Sequence, residues 1–280
     1  MTVDPHTHSS ISDGTQSPTE LLRAARAAGV DVLGLTDHDT SAGWAEAEAA
    51  VATTGVSLLR GSEISCSASG ISVHLLSYLH DPDDPVLAAE LARARASRVD
   101  RARLMVERVA EDYPLTWADV EAQLEPGATV GRPHIADALV ALGHVPDRSA
   151  AFASILSAAG PYYVRYYAPD VIAAVRAVRA AGGVPVMAHP FASVRGRVVA
   201  VEVIEAMADA GLAGLEVDHR DQSPAERAEL RAIARRLGLF TTGSSDYHGA
   251  GKPNRLAEHT TTPEVLAAIE EAGRLPVVRP

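Results

Sequence analysis

Along most of the chain, short apolar runs alternate with alanine-rich stretches of helical period, the rhythm of βα units that pack helices over a sheet. The apolar runs at residues 2–5, 31–36, 56–62, 71–79, 184–188, 214–217 and 239–242 read as strands. The helices between them carry local start signals. In Ser17-Pro18-Thr19-Glu20, a hydroxyl can cap free N–H groups, proline sits where no N–H is needed, and glutamate completes a capping box. Gly29 stops this helix just before the second strand. Ser223-Pro224-Ala225-Glu226 repeats the start and Gly238 the stop, and further helices are expected at 42–53, 170–181, 199–209 and 263–271.

From about residue 83 to 168 the alternation lapses into helical patterns without a convincing strand. Residues 85–112 read as one long helix rich in Arg and Glu, a solvated surface with a narrow apolar stripe. Shorter helices are expected at 133–142 and 148–158, with Gly143 and Pro146 between them. Turn-forming composition brackets the region, in Asp81-Pro82-Asp83-Asp84-Pro85 and Tyr166-Tyr167-Ala168-Pro169. The expected organisation is a βα domain at 1–82 and 169–280, interrupted by a helical insert at 83–168.

Composition narrows the function classes. With 47% hydrophobic and 22% charged residues, the 280-residue chain can bury a large core. A net charge of −11 argues against broad electrostatic adhesion to duplex DNA or anionic membrane. The single Cys66 excludes an intramolecular disulfide and a cysteine-rich zinc module. No apolar run approaches the ~20 residues of a membrane span, and Met1-Thr2-Val3-Asp4 lacks a basic-then-apolar signal. A cytoplasmic protein is expected.

The 11 histidines change the picture. The first strand runs into His6-Thr7-His8, followed by Asp13 in Ser12-Asp13-Gly14; residues two apart on a strand share a face and can converge on one ion. The second strand leads to Thr36-Asp37-His38-Asp39, the third to Gly61-Ser62-Glu63, and the fourth contains His74. The fifth leads to Ala188-His189-Pro190 and the last to Ser244-Ser245-Asp246-Tyr247-His248. In a parallel barrel, C-terminal strand ends surround one mouth, where active sites are built. Burying so many ionisable groups together without cations is costly, so metal binding is the economical reading. His80, His144 and His259 fall outside the pattern, as a scattered remainder. A shell of nitrogen and oxygen without thiolate favours Mn²⁺, Fe²⁺ or Zn²⁺. The donors are too many for one ion but suit three if one carboxylate bridges. Three divalent ions against three carboxylates would leave the site about +3, a focus for small phosphoesters.

On these motifs, spread from Asp4-Pro5-His6-Thr7-His8-Ser9 to Ser245-Asp246-Tyr247-His248, the chain resembles the polymerase and histidinol phosphatase (PHP) superfamily of metal-dependent phosphoesterases. The resemblance implies a distorted (β/α)7 barrel with a trinuclear metal centre at its C-terminal mouth. It places one ion on His6, His8, Glu63 and Asp246, a second on Glu63, His74 and His189, and a third on Asp13, His38 and His248. Some relatives carry His where this chain has Asp13. Gly131-Arg132-Pro133-His134 is similar to the branch of nucleoside 3′,5′-bisphosphate phosphatases, related to a 5′→3′ exoribonuclease acting on short RNA. In that branch the insert caps the mouth and the Arg-x-His pair helps bind substrate. The implied activity is hydrolysis of the 3′-phosphate, releasing inorganic phosphate, with short 5′-phosphorylated RNA as a further substrate. Histidinol phosphatase, or a metal-bound regulatory module without turnover, are the alternatives.

Around this set, Arg132 could fork onto a phosphate, and His134 could donate to a phosphate or protonate the leaving alcohol. Arg197 and Lys252 are weaker clamp candidates, since exposed Lys and Arg are the norm. His219 follows a strand but is not expected to be a ligand. Asp4, Asp37 and Asp39 could orient imidazoles or cap turns. Cys66, in an expected turn at 65–70, reads as incidental, and Tyr162, Tyr163, Tyr166 and Tyr167 as base-stacking or packing groups.

Overall fold

The computed structural model describes residues 1–280. Strands β1 (Val3–Thr7), β2 (Val32–Leu35), β3 (Ser57–Ala68), β4 (Ile71–Tyr78), β5 (Val184–Met187), β6 (Gly214–Asp218) and β7 (Phe240–Gly243) lie side by side in chain order. Bridges from Thr7 to Tyr247 and from Val3 to Thr261 bring the first strand against the segments after the last, so the sheet nearly closes into a barrel.

The barrel is not all parallel. Strand β4 runs antiparallel to both β3 and β5. Ala68 pairs with Ile71, leaving Ser69 and Gly70 as a two-residue turn with φ of +50° and +75°. Such a turn makes a hairpin and is far too short for the crossover that a parallel pair needs. Strand β3 therefore continues past residue 62 to Ala68, and Cys66 is a buried strand residue rather than part of a turn. Glu63 becomes a mid-strand residue, and His74 faces Ser65 across the hairpin.

Helices α1 (Pro18–Ala27) and α2 (Trp44–Thr54) lie in the first half of the barrel. The predicted capping box closes α1: Ser17 accepts from the Glu20 N–H, and the Glu20 carboxylate accepts from the Ser17 N–H. The insert carries α3 (Pro85–Val109), α4 (Trp117–Glu121), α5 (Arg132–Ala141) and α6 (Arg148–Ala153), of which α4 was not anticipated. These helices share their own apolar cluster, including Met105, Val109, Val120, Ile135, Leu139 and Leu156. Helices α7 (Val171–Ala180), α8 (Val201–Asp209), α9 (Pro224–Leu237) and α10 (Pro263–Ala272) complete the chain, and Ser223 caps α9 as expected.

Helix α3 departs from the expected solvated surface, because Arg98 and Arg101 are buried on it. Arg98 Nε donates to Asp39 Oδ2 at 2.7 Å, on the loop after β2. Arg148 forks onto Asp137 and also donates to the Asp13 carbonyl at 3.0 Å. The Thr129 N–H reaches the Ile11 carbonyl at 2.8 Å. The insert is thus tied to the loops that carry Asp13 and His38.

His80 is not a scattered surface residue. It is fully buried against Trp44, with Nδ1 2.8 Å from Ser77 Oγ, and burial pushes its pKa down to about 4. The unfolded ring takes a proton near pH 6.5 while the native ring refuses it. Stability from this site is therefore complete above about pH 6.5 and falls as pH drops towards 4, by about 3 kcal/mol in total. Urea unfolding of the wild type and His80→Gln at pH 7.5 and 4.5 measures this; the variant should show the shallower loss, and equal losses would contradict it.

Candidate metal centre

The nine residues at the strand ends meet in one largely buried cluster. Period-2 geometry turns His6 and His8 the same way, with their Nε2 atoms 3.1 Å apart. Gly14 lets the Asp13 loop lie on this strand, since a Cβ there would stand 2.4 Å from the His8 carbonyl oxygen. Glu63 is central. Its Oε1 lies 2.7 Å from His74 Nδ1 and 3.2 Å from His189 Nε2. Its Oε2 lies 3.4 Å from His6 Nε2, 3.1 Å from His8 Nε2 and 3.3 Å from His38 Nδ1. One carboxylate thus stands between two groups of imidazoles. Asp13 lies 3.3 Å from His248 Nε2 and 3.7 Å from His38 Nε2. Asp246 Oδ1 lies 3.6 Å from His6 and 3.5 Å from His8. Asp39, His189 and Asp246 all have positive φ, a costly conformation for non-glycine residues that clusters at functional sites.

The pocket's chemistry suits divalent cations. Asp13, Glu63 and Asp246 are buried. Burial alone would raise the Glu63 carboxyl, yet His74, His38 and His6 hold it well below the carboxylate range. Asp13 and Asp246 are likewise pulled down against burial, by His248 and His38 in one case and by Lys252, His248 and Arg195 in the other. Against burial, Glu216 and Glu63 push His6 up, and Asp246 and Glu63 push His8 up to about 9. The acids therefore demand positive charge. His38 Nδ1, His74 Nδ1 and His248 Nε2 are buried and lie close to carboxylate oxygens yet make no aligned hydrogen bond with them, an arrangement in which nitrogen and oxygen can face a common ion. Burial and Arg195 hold His189 down near about 3, and burial with Lys252 holds His248 near about 4, in the unprotonated form that a metal requires.

Of the groups around the cluster, Glu216 and Arg195 were not read from the sequence, while Lys252 was read only as a clamp candidate and His219 only as a residue after a strand. Glu216 on β6 lies 2.9 Å from His6 Nδ1 and accepts the His189 N–H at 2.9 Å, so it orients both residues. An acid between Leu215 and Val217 in a buried strand was the available signal. Arg195, in a short 3₁₀ turn, donates to Asp246 Oδ2 at 2.7 Å, while Arg197 stays exposed. Lys252 Nζ and His219 Nε2 each lie 3.3 Å from the same oxygen. Asp4, Asp37 and Asp39 touch no imidazole. These three brace loops instead. Asp37 holds Ser9 and Ser12, Asp39 holds Ser65 and Arg98, and Asp4 holds the Ser245 and Ala257 N–H groups.

On the insert side, guanidinium groups crowd together. Arg132 lies over Phe152 and Tyr163 at 5.1 and 5.6 Å and donates to the Leu156 carbonyl. Arg98 and Arg101 lie over Tyr166 at 5.4 and 4.4 Å. Arg101 forms no hydrogen bond or ion pair, and its Nε is buried without a partner. Burial, with Arg98 and Arg132 nearby, pushes its pKa down to about 10. His134 is buried at the start of α5, where Nδ1 accepts the Gly131 N–H at 3.0 Å, so the neutral ring carries its proton on Nε2. Tyr162 is bonded to Asp112 and Tyr167 to Glu90, which leaves Tyr163 and Tyr166 as the walls of the arginine pocket.

Residues 4–114 match the PHP domain family. A 3′,5′-nucleoside bisphosphate phosphatase of Chromobacterium violaceum is 33% identical over 286 residues, covering 99% of this chain and 98% of the relative. A 5′-3′ exoribonuclease of Haemophilus influenzae is 33% identical over 247 residues, covering 88% and 89%. Among solved structures, a candidate metal-dependent phosphoesterase of Bifidobacterium adolescentis superposes with a TM-score of 0.95 at 44% identity over 96% of each chain. An amidohydrolase of Chromobacterium violaceum with bound sulfate superposes at 0.88 and 31% identity, covering 100% of this chain and 98% of that one.

Proposed function

The chain belongs to the PHP domain family of metal-dependent phosphoesterases, and from that premise we propose that it removes the 3′-phosphate of nucleoside 3′,5′-bisphosphates. The observation that carries this reading is a pair of adjoining regions that both call for anions. One is the His/Asp/Glu cluster, which would draw anions once it holds cations; the other is the arginine pocket, where Arg101 is buried without a counter-charge. Arg98 adjoins both, close enough to Asp13 and His38 to shift their charge balance. A substrate with two phosphates answers both regions, and a monophosphate answers one.

In this reading His6, His8, Glu63 and Asp246 would hold one ion, Glu63 with His74 and His189 a second, and Asp13, His38 and His248 a third. The two sets of imidazoles on opposite oxygens of Glu63 support a bridging role. The nitrogen and oxygen donors suit Mn²⁺ first, with Fe²⁺ or Zn²⁺ as substitutes. Such ions activate water near neutral pH and neutralise charge on the reacting phosphate. The protein's own residues do the rest. Arg101 and Arg132 fork onto the phosphate that does not react, held in place by Tyr163 and Tyr166. His134 presents Nε2–H to a phosphate oxygen or the leaving 3′-oxygen, because the Gly131 N–H occupies Nδ1. Arg195 and Lys252, already beside Asp246, stand by for the oxygens of the reacting phosphate. Residues 83–168 act as the cap over the barrel mouth. The same arginine pocket would grip the 5′-phosphate of a short RNA, which the exoribonuclease relatives support. No helix is long and apolar enough to cross a membrane, and a nucleotide substrate fits a cytoplasmic enzyme.

Side-by-side turnover of adenosine 3′,5′-bisphosphate, histidinol phosphate and p-nitrophenyl phosphate by the Mn²⁺-reconstituted protein tests the proposal. The bisphosphate should show the highest kcat/KM, by at least about tenfold, since one added charge-assisted contact contributes about 1.5–3 kcal/mol. Turnover of histidinol phosphate alone would refute the substrate. Full metal occupancy without any turnover would make the chain a binding module.

A further inference from the structure

We infer that His219 is a positioning residue for Asp246, donating a hydrogen bond that fixes this carboxylate without itself joining the ion. The inference rests on reading Asp246 as a metal ligand. The Asp221 backbone N–H donates to His219 Nδ1 at 3.0 Å. A backbone N–H can only donate, so Nδ1 must carry a lone pair and the neutral ring keeps its proton on Nε2. That nitrogen lies 3.3 Å from Asp246 Oδ2 and 3.4 Å from Arg195 Nη2. Since Arg195 is also a donor, both hydrogens point to the carboxylate rather than to each other. Nε2–H therefore has no lone pair to offer an ion.

Asp246 needs such a support. Its φ is +51°, and its Oδ1 faces His6 and His8 while Oδ2 faces away from them. Of the three donors on Oδ2, Arg195 and Lys252 are about one-third exposed at 31% and 32%, whereas the His219 side chain is fully buried. The loop that carries His219 is rigid. Its carbonyl accepts from Arg227 at 2.7 Å and from the Gln222 N–H at 3.1 Å. The Gln222 side chain in turn bonds the Val217 carbonyl and the Phe191 N–H. His219 is thus the one fully buried donor on the outer oxygen of Asp246.

The test is calorimetric titration of metal-stripped protein with MnCl2, for wild type, His219→Leu and His219→Gln, with circular dichroism to follow folding. Leucine should weaken Mn²⁺ binding by roughly 10- to 100-fold while the number of ions stays that of the wild type, as for other residues that orient ligands. Glutamine, whose amide N–H can replace Nε2–H, should stay within about threefold of wild type. Loss of an ion in either variant would make His219 a ligand and overturn the inference, as would wild-type affinity in the leucine variant. If leucine does not fold, glutamine decides: wild-type affinity and ion count support the inference, and a loss of about tenfold or more overturns it. A wild-type chain that takes up no Mn²⁺ would overturn the reading of Asp246, and this inference with it.

Discussion

Glu63→Gln should lower kcat on every phosphoester by about 10³-fold or more and should release metal from the folded protein. The reason is the position of the carboxylate. Its two oxygens lie within 3.4 Å of five imidazoles from four separate loops and strands. Glutamine keeps the shape but removes the charge and turns one oxygen into a donor facing histidines. Two of the proposed ions would lose a ligand at once. Loss of about 4 kcal/mol of transition-state charge stabilisation corresponds to the expected drop. Steady-state kinetics with metal analysis by mass spectrometry checks both effects, and circular dichroism confirms the fold. His8→Ala and Asp246→Ala should behave alike. Near-normal rates in any of the three would remove the residue from the metal centre.

The second large effect is expected at Arg101, where binding and stability should move in opposite directions. Arg101→Met should raise KM for adenosine 3′,5′-bisphosphate by about 10- to 100-fold, the equivalent of one charge-assisted contact. For p-nitrophenyl phosphate, which has no second anion, kcat/KM should stay within about threefold. The same variant should melt about 2 °C higher or more, because an unpaired buried guanidinium destabilises the free protein and methionine fills much of its volume. Arg132→Ala should also raise KM for the bisphosphate more than for the aryl phosphate, but less than the change at Arg101, since Arg132 already donates to the Leu156 carbonyl. Equal losses on both substrates would place the arginine pocket outside substrate recognition.

Local chemistry was legible where it depends on residues close in sequence. The capping boxes at Ser17 and Ser223 form as read, because a cap needs only its own first turn. The metal-type residues at strand ends were legible for a related reason. Few side chains bind hard and borderline cations, and an α/β barrel brings its strand ends to one mouth. Hence all nine candidates, from His6 to His248, come together in the pocket. The expected turn at 65–70 is narrower in the structure, because β3 runs on past residue 62 to Ala68 and the turn is only Ser69-Gly70.

The order of charges and apolar runs along this chain was enough to specify its βα organisation, its helix starts and the donor types gathered at its centre, while the distorted barrel was implied by the family its motifs resemble. Which arginine is left without a counter-ion, which acid backs His6, and which ring nitrogen of His219 bears the proton were decided only by packing. Arg101, Glu216 and His219 look in sequence like ordinary polar residues. Burial becomes a property of such a residue only when helices and loops distant in the chain close over it, and only then does the missing solvent turn its charge or its proton into a constraint.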